Sequence, residues 1–266
     1  MNQNALKMNE IIQKVLDLPG QIAGRVLGSR VSDTLDGFDS SNGVRSYFQT
    51  IYSWLALGMC ILMVWGLING AGDYFGSADT MGMIASIVTS LICLVAAFAI
   101  PNVVRMRGDS FAGNHSSMTH FLAHDVVKTN IRLLGELGAL VVVTQALCMA
   151  VATVFNTSVY APLGGGESIA NMFWAAPSWY WTEASALIPF GVLDTLGASF
   201  SMADWNASIS GSWSWDSIMG TLGMLVNAVI LLAVFHIAAA LYGVLYNAAA
   251  WIVGWVQNPH LPIKNS

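Results

Sequence analysis

The stretch Ala233–Trp255, AVFHIAAALYGVLYNAAAWIVGW, is long and apolar enough to cross a membrane as one helix. About 20 helical residues span the roughly 30 Å of hydrocarbon in a bilayer. The stretch also contains His236 and Asn247, whose polar groups find no water in hydrocarbon and therefore need protein partners. It predicts a membrane protein, and it raises the question of what these two side chains contact.

The whole chain has the composition of a membrane protein. Of its 266 residues, 55% are hydrophobic and only 9% are charged, whereas about 25% are charged in an ordinary soluble domain. The apolar segments predict an all-α integral membrane protein with four transmembrane helices, at about 51–69, 81–100, 133–155 and 219–256. We expect Pro101 to end the second helix, and the fourth to be a single long helix because no turn signal divides it.

The basic residues predict an orientation. All ten Lys and Arg residues precede the first span, lie between the second and third, or follow the fourth. Cytoplasmic loops of membrane proteins are enriched in these residues. We therefore expect a multi-pass protein of a bacterial inner membrane with both termini in the cytoplasm.

Four regions follow from this topology. Residues 1–50 form a cytoplasmic or interfacial region with an amphipathic helix at Leu6–Leu18, and residues 51–155 contain the first three helices with a cytoplasmic loop at 101–132. Residues 156–218 form a long extracytoplasmic loop without basic residues, and residues 219–266 contain the fourth helix and the C-terminal tail.

The extracytoplasmic loop is rich in tryptophan and acidic residues, a composition that favours the membrane surface. Its triple glycine at Gly164–Gly166 predicts a flexible lead-in, and residues 184–202 are apolar enough for an interfacial or re-entrant segment. The alternative is that this segment forms a fifth span, which would place the C-terminus outside the cytoplasm.

Small residues form stripes along the predicted spans, and such stripes let membrane helices pack closely. On the fourth helix, His236, Gly243 and Asn247 share one face with alanines and Gly254, which predicts a packing surface with polar side chains that bond across it. The first span contributes Gly66 and Gly70. These surfaces exceed what one four-helix chain needs, so we expect further membrane subunits or copies of the chain.

Glu136 is the only acidic residue inside a predicted span. The favoured interpretation is an ion pair with Arg132, four positions earlier on the same helix. The alternative is an oligomeric ion channel or transporter, in which Glu136, Gln145 and His236 line a path. That alternative is weakened because proton pathways usually place a carboxylate near the membrane midplane.

His120 and His124 are spaced four apart, so on a helix they share one face and are the candidates for a metal site, with His115 or Asp125 as a further ligand. A structural zinc site needs four ligands and a catalytic site at least three. A bis-histidine haem needs a second histidine inside the membrane beside His236, and no span supplies one. The prediction is therefore no metal and no cofactor, and a membrane metal or haem redox protein is the alternative.

The sequence favours a non-catalytic, polytopic inner-membrane subunit of a multiprotein assembly for transport, secretion or conjugation. The expected partners are the lipid bilayer and other membrane subunits or copies of the chain. The diffuse net charge of −5 does not favour nucleic acid. No nucleophile–base, dinucleotide or phosphate-loop motif indicates an enzyme.

Overall fold

The computed structural model describes residues 43–75, 80–113, 120–173 and 205–257. These residues are mostly helical, and four helices are long and apolar enough to span a membrane. The helices are α1 (Gly43–Phe75), α2 (Thr80–Asp109), α3 (Val127–Phe155) and α4 (Trp215–Gln257). The prediction of a mostly helical fold with four helices long and apolar enough to cross a membrane is confirmed. The amphipathic helix at Leu6–Leu18 and the segment 184–202 lie outside the described residues.

Pro101 does not end the second helix, which corrects the sequence prediction. α2 continues to Asp109, and Pro101 is buried inside it. Proline lacks the N–H that would bond to the carbonyl four residues earlier, but membrane helices tolerate this loss. At the other side of the expected loop, a π-helical turn at Phe121–Val126 leads directly into α3. Much of the loop expected at 101–132 is therefore helical.

α3 is the central helix of the arrangement. It packs against α2 on one side and α4 on the other, and α1 packs against α2. In its most hydrophobic window 56% of α3 is buried, whereas the corresponding window of α4 is only 28% buried. α4 therefore lies at the edge, with most of its surface uncovered by the described residues.

Two glycines on α3 set its distance from α4. A Cβ atom at Gly135 would collide with the Cβ of Phe235, and one at Gly138 would lie 2.7 Å from the Cδ2 of Leu231. Phe235 and Leu231 are both buried. Their four-residue spacing puts them on one face of α4, so large side chains of α4 fill the space that the glycines of α3 leave.

Two short strands connect the end of α3 to the start of α4. β1 (Ser158–Pro162) pairs antiparallel with β2 (Asn206–Ser210), with Ser158 opposite Ser210. Their two hydroxyl oxygens lie 2.9 Å apart. A loop was expected from the sequence at this point, and the strand pairing was not predicted.

The triple glycine forms a 3₁₀ turn that packs against α1. A Cβ atom at Gly165 would collide with the carbonyl of Leu62, so only glycine allows this approach. The sequence suggested a flexible lead-in at this point, and the structure shows instead a backbone contact with a helix. Phe173 ends the described part of this segment and is buried.

The start of α1, the end of α2 and the start of α3 meet at one end of the structure. Gln49 donates a hydrogen bond to Asp109, and the Arg45 guanidinium lies 5.4 Å from the centre of the Phe121 ring. Because the strands occupy the other end, the described basic residues cluster away from them. They are Arg45, Arg105, Arg107, Lys128 and Arg132.

Candidate functional site

An ion pair joins α2 to α3. The Nε of Arg107 donates to Oε2 of Glu136 at 2.8 Å, and an Nη2 hydrogen bond to Oε1 completes a two-point contact. The side chain of Arg107 is 30% exposed and that of Glu136 15% exposed. Paired hydrogen bonds of this kind fix direction as well as charge, so the contact aligns the two helices.

The pairing of Glu136 with Arg132 predicted from sequence is wrong. Glu136 bonds to Arg107, which is 29 positions earlier in the chain. The reason is the continuation of α2 beyond Pro101, which carries Arg107 alongside α3. Among the described residues, Nε of Arg132 is buried without a hydrogen-bond partner.

His236 completes this group, which we term the groove cluster (Arg107, Glu136 and His236). Its Nε2 lies 3.7 Å from Oε1 of Glu136. Its Nδ1 donates to the carbonyl of Leu232 at 2.9 Å, because a carbonyl can only accept. Both ring nitrogens of His236 therefore have polar neighbours within this chain.

The ion pair of the groove cluster lies on the wall of an open groove of about 670 Å³. Apart from Arg107 and Glu136, the lining is apolar and comes from α2, α3 and α4. The lining of α2 includes Val103 and Met106, and that of α4 includes Leu225 and Val229. A mostly apolar groove with one ion pair fits an acyl chain or an apolar side chain better than a hydrated ion.

A second group of polar side chains, which we term the histidine cluster, consists of His120, His124 and Asp125. Nδ1 of His124 lies 2.9 Å from Oδ1 of Asp125, and Nδ1 of His120 lies 3.7 Å from Oδ2 of the same carboxylate. One ligand atom from each residue lies within 4.8 Å of the other two. The three residues therefore present three potential metal ligands to one point.

Two tyrosines of α4 stand against the histidine cluster. The Tyr242 hydroxyl donates to the carbonyl of Ala123, which fixes α4 to the π-helical turn. The Tyr246 ring lies 5.0 Å from the ring of His124 and 5.3 Å from that of His120, measured between centroids. Gly243 lies beside this contact, and a Cβ there would lie 3.5 Å from Nε2 of His124, an ordinary van der Waals distance.

Comparisons with protein-family models, with curated proteins and with solved structures gave no match. Any function for this chain must therefore be argued from its own contacts. Among the described residues, the groove cluster joins ionisable side chains of three helices, and the histidine cluster groups three potential metal ligands within one segment.

The other candidates lie apart from these clusters. Gln145 is buried in α3, nine positions beyond Glu136, and Asn247 is exposed on α4. Gly66 and Gly70 of α1 face the strand β1 rather than another helix. A Cβ at Gly70 would lie 3.1 Å from the side chains of Tyr160 and Pro162.

Sequence reasoning missed Arg107 and the two tyrosines. Arg107 was assigned to a loop because Pro101 was expected to end the helix, although proline inside membrane helices is common. The tyrosines gave a usable signal. Tyr242 and Tyr246 are spaced four apart on the apolar face of a helix, where a buried hydroxyl requires a partner.

Proposed function

We propose that this chain is a non-catalytic, polytopic subunit of a multiprotein membrane assembly of the transport, secretion or conjugation type. The observation that carries the proposal is the uncovered end of α4. Tyr246 lies beside His120, which immediately precedes the π-helical turn, yet α4 continues to Gln257. The additional residues extend the helix by about 16 Å at 1.5 Å per residue.

This extension is apolar and makes no packing contact that would bury it within the described residues. Trp251 is 72% exposed and Val256 is 65% exposed, and residues 247–256 are all exposed. An apolar surface of this kind requires a cover of lipid or protein. Protein is favoured because the extension begins beside the polar residues of the histidine cluster, which are typical of the edge of a membrane rather than its core.

The face of the extension suits contact with another helix. Asn247, Ala250 and Gly254 continue the predicted small-residue stripe, and no atom lies within 4 Å of a Cβ built at Gly254. Small residues allow close helix approach, and an amide side chain can bond across the contact. A partner helix or a second copy of the chain is therefore the proposed cover.

Cross-linking at the extension tests the assembly. With a photoreactive residue replacing Val253, we expect adducts with a second polypeptide in intact membranes. The same replacement at Val229, which is exposed on α4 and lines the groove that fits an acyl chain, is the matched control and should give no protein adduct. If the adducts at Val253 form only within one chain, or if none form, the assembly proposal fails.

The proposed orientation places the basic end in the cytoplasm and the strands outside it. The five described basic residues lie toward one end, which supports this orientation under the positive-inside rule. Ser110 at the basic end and Ser210 on β2 are both exposed, so each suits a labelling experiment.

Cysteine labelling tests the orientation. In a variant without the native Cys60, Cys93 and Cys148, we expect Ser210→Cys to react with a membrane-impermeant maleimide in intact cells with a permeable outer membrane. Ser110→Cys should react only after the inner membrane is permeabilised. The reverse pattern would invert the orientation, and equal labelling of both sites before permeabilisation would contradict the topology.

The alternative of a channel or transporter has less support. Glu136 and His236 lie close together, but Gln145 is about 14 Å further along α3 at 1.5 Å per residue. Within the described residues, Ala139, Leu140 and Val143 line the groove between these positions. An apolar lining of this length does not favour ion passage along the chain.

A further inference from the structure

The π-helical turn before α3 places the histidine cluster in an arrangement that an α-helix would not give. In an α-helix, residues five apart point in directions that differ by about 140°, at 100° per residue. A π-helix bonds residue i to residue i+5, so Asp125 stacks over His120. His124, one position before Asp125, lies toward the same face. π-helical turns occur often at functional sites.

The distances within the cluster fit one metal ion. Zinc bonds to histidine nitrogen and carboxylate oxygen at about 2.0–2.2 Å, so neighbouring ligand atoms in a tetrahedral site lie about 3.3 Å apart. The two histidine Nδ1 atoms lie 2.9 and 3.7 Å from the carboxylate oxygens of Asp125. One ligand atom from each of the three residues lies within 4.8 Å of the other two, so a small contraction of the cluster brings the set to such a geometry.

The residues around His124 determine which of its two ring nitrogens can bind a metal ion. Nε2 of His124 and Nζ of Lys128 both lie at Gly243, within 3.5 Å of the position of a Cβ there. Nδ1 of His124 is therefore the nitrogen beside Asp125. The side chains of His124 and Asp125 are only 12% and 15% exposed, so the cluster is partly shielded from solvent.

We propose that His120, His124 and Asp125 bind one divalent transition metal ion of the zinc type, through the two Nδ1 atoms and the carboxylate. Two imidazoles and one carboxylate are ligands that such ions prefer. The three protein ligands leave a fourth position for water or for a group from outside the described residues. This site is independent of the assembly proposed above, because all three ligands come from one helical segment.

Zinc binding to the full chain tests the site. The protein is purified in mild detergent without a polyhistidine tag, treated with a chelator, and titrated with Zn²⁺ by calorimetry, with the metal content measured by mass spectrometry. We expect one zinc ion per chain. His120→Ala, His124→Ala and Asp125→Asn should each weaken the affinity at least tenfold.

Matched variants separate a ligand role from a structural one. His236→Ala removes the histidine beside the other carboxylate, Glu136, and should leave zinc stoichiometry and affinity unchanged. His120→Cys keeps a zinc ligand and should retain binding, and with Co²⁺ it should add a thiolate charge-transfer band. The proposal is overturned if the wild-type chain takes up no stoichiometric zinc. It is also overturned if the three alanine and asparagine variants bind zinc as wild type does, or if His120→Cys behaves as His120→Ala.

Discussion

Glu136→Gln is expected to lower the free energy of unfolding by about 2 kcal/mol, between the values for exposed and buried pairs, because removing one partner of this partly buried ion pair leaves the other charge uncompensated. Glutamine keeps the shape of the side chain but removes the charge and replaces one acceptor oxygen by an NH2 donor. The guanidinium of Arg107 would then remain on the wall of a mostly apolar groove, with one of its two hydrogen bonds weakened and the other lost. Reversible unfolding of the chain in detergent–lipid micelles, followed by circular dichroism, measures the change.

A double substitution distinguishes an isolated charge from lost packing. Arg107→Met combined with Glu136→Met replaces the pair by apolar side chains of similar length, and such replacements are often neutral or stabilising. We expect the double variant to recover most of the stability lost in Glu136→Gln. Arg105→Gln removes an exposed charge two positions from Arg107 and should change stability by less than about 0.5 kcal/mol. A double variant as unstable as the single one would show that the ion pair is not the cause.

The four helices could be predicted from sequence because membrane spans depend on length and hydropathy, and both are local properties. The undivided α4 was predicted because no turn signal, which is also a local property, divides it. The end of α2 was not predicted correctly, because Pro101 was expected to stop the helix, and that tendency of proline applies to helices in water. In the low-dielectric surroundings of a membrane, helical hydrogen bonds on both sides of a proline persist and the helix continues.

The clusters were only partly predictable, because they depend on which helices are neighbours. The i, i+4 spacing of His120 and His124 indicated a shared face, and both lie in one cluster. The position of Asp125 relative to them depends on a π-helical turn, for which the sequence gave no signal. The partner of Glu136 depends on the packing of α2 against α3, and spacing along one helix cannot reveal it.

The small-residue stripe on α4 shows the same limit. The 3.6-residue helical period shows which residues share one face of α4, but it does not show which part of that face another helix covers. Gly243 is buried beside His124, whereas Asn247 is exposed. The glycines that set the distance between α4 and α3 are Gly135 and Gly138, which lie on α3.

Gly135→Ala is expected to destabilise the chain by about 1–3 kcal/mol, the usual cost of forcing extra atoms into a packed interface. The added Cβ would collide with the Cβ of Phe235 and lie 2.9 Å from its Cγ. Because the Cβ of Phe235 is attached directly to the backbone, rotating the side chain cannot relieve the clash. Only a shift of α3 away from α4 can do so, and that shift would weaken the most extensive helix contact in the structure.

Two further glycines provide graded controls for this prediction. At Gly138 the added atom would meet the Cδ2 of Leu231, the far end of a flexible side chain, so Gly138→Ala should cost less. At Gly223 no atom lies within 4 Å of the added Cβ, so Gly223→Ala should be neutral or stabilising, since alanine favours a helix by up to about 1 kcal/mol. All three substitutions carry the same gain in helix propensity, so differences between them measure packing alone. From most to least stable, the expected order is Gly223→Ala, Gly138→Ala and Gly135→Ala. Equal stabilities in a reversible unfolding assay would show that α3 and α4 do not approach this closely.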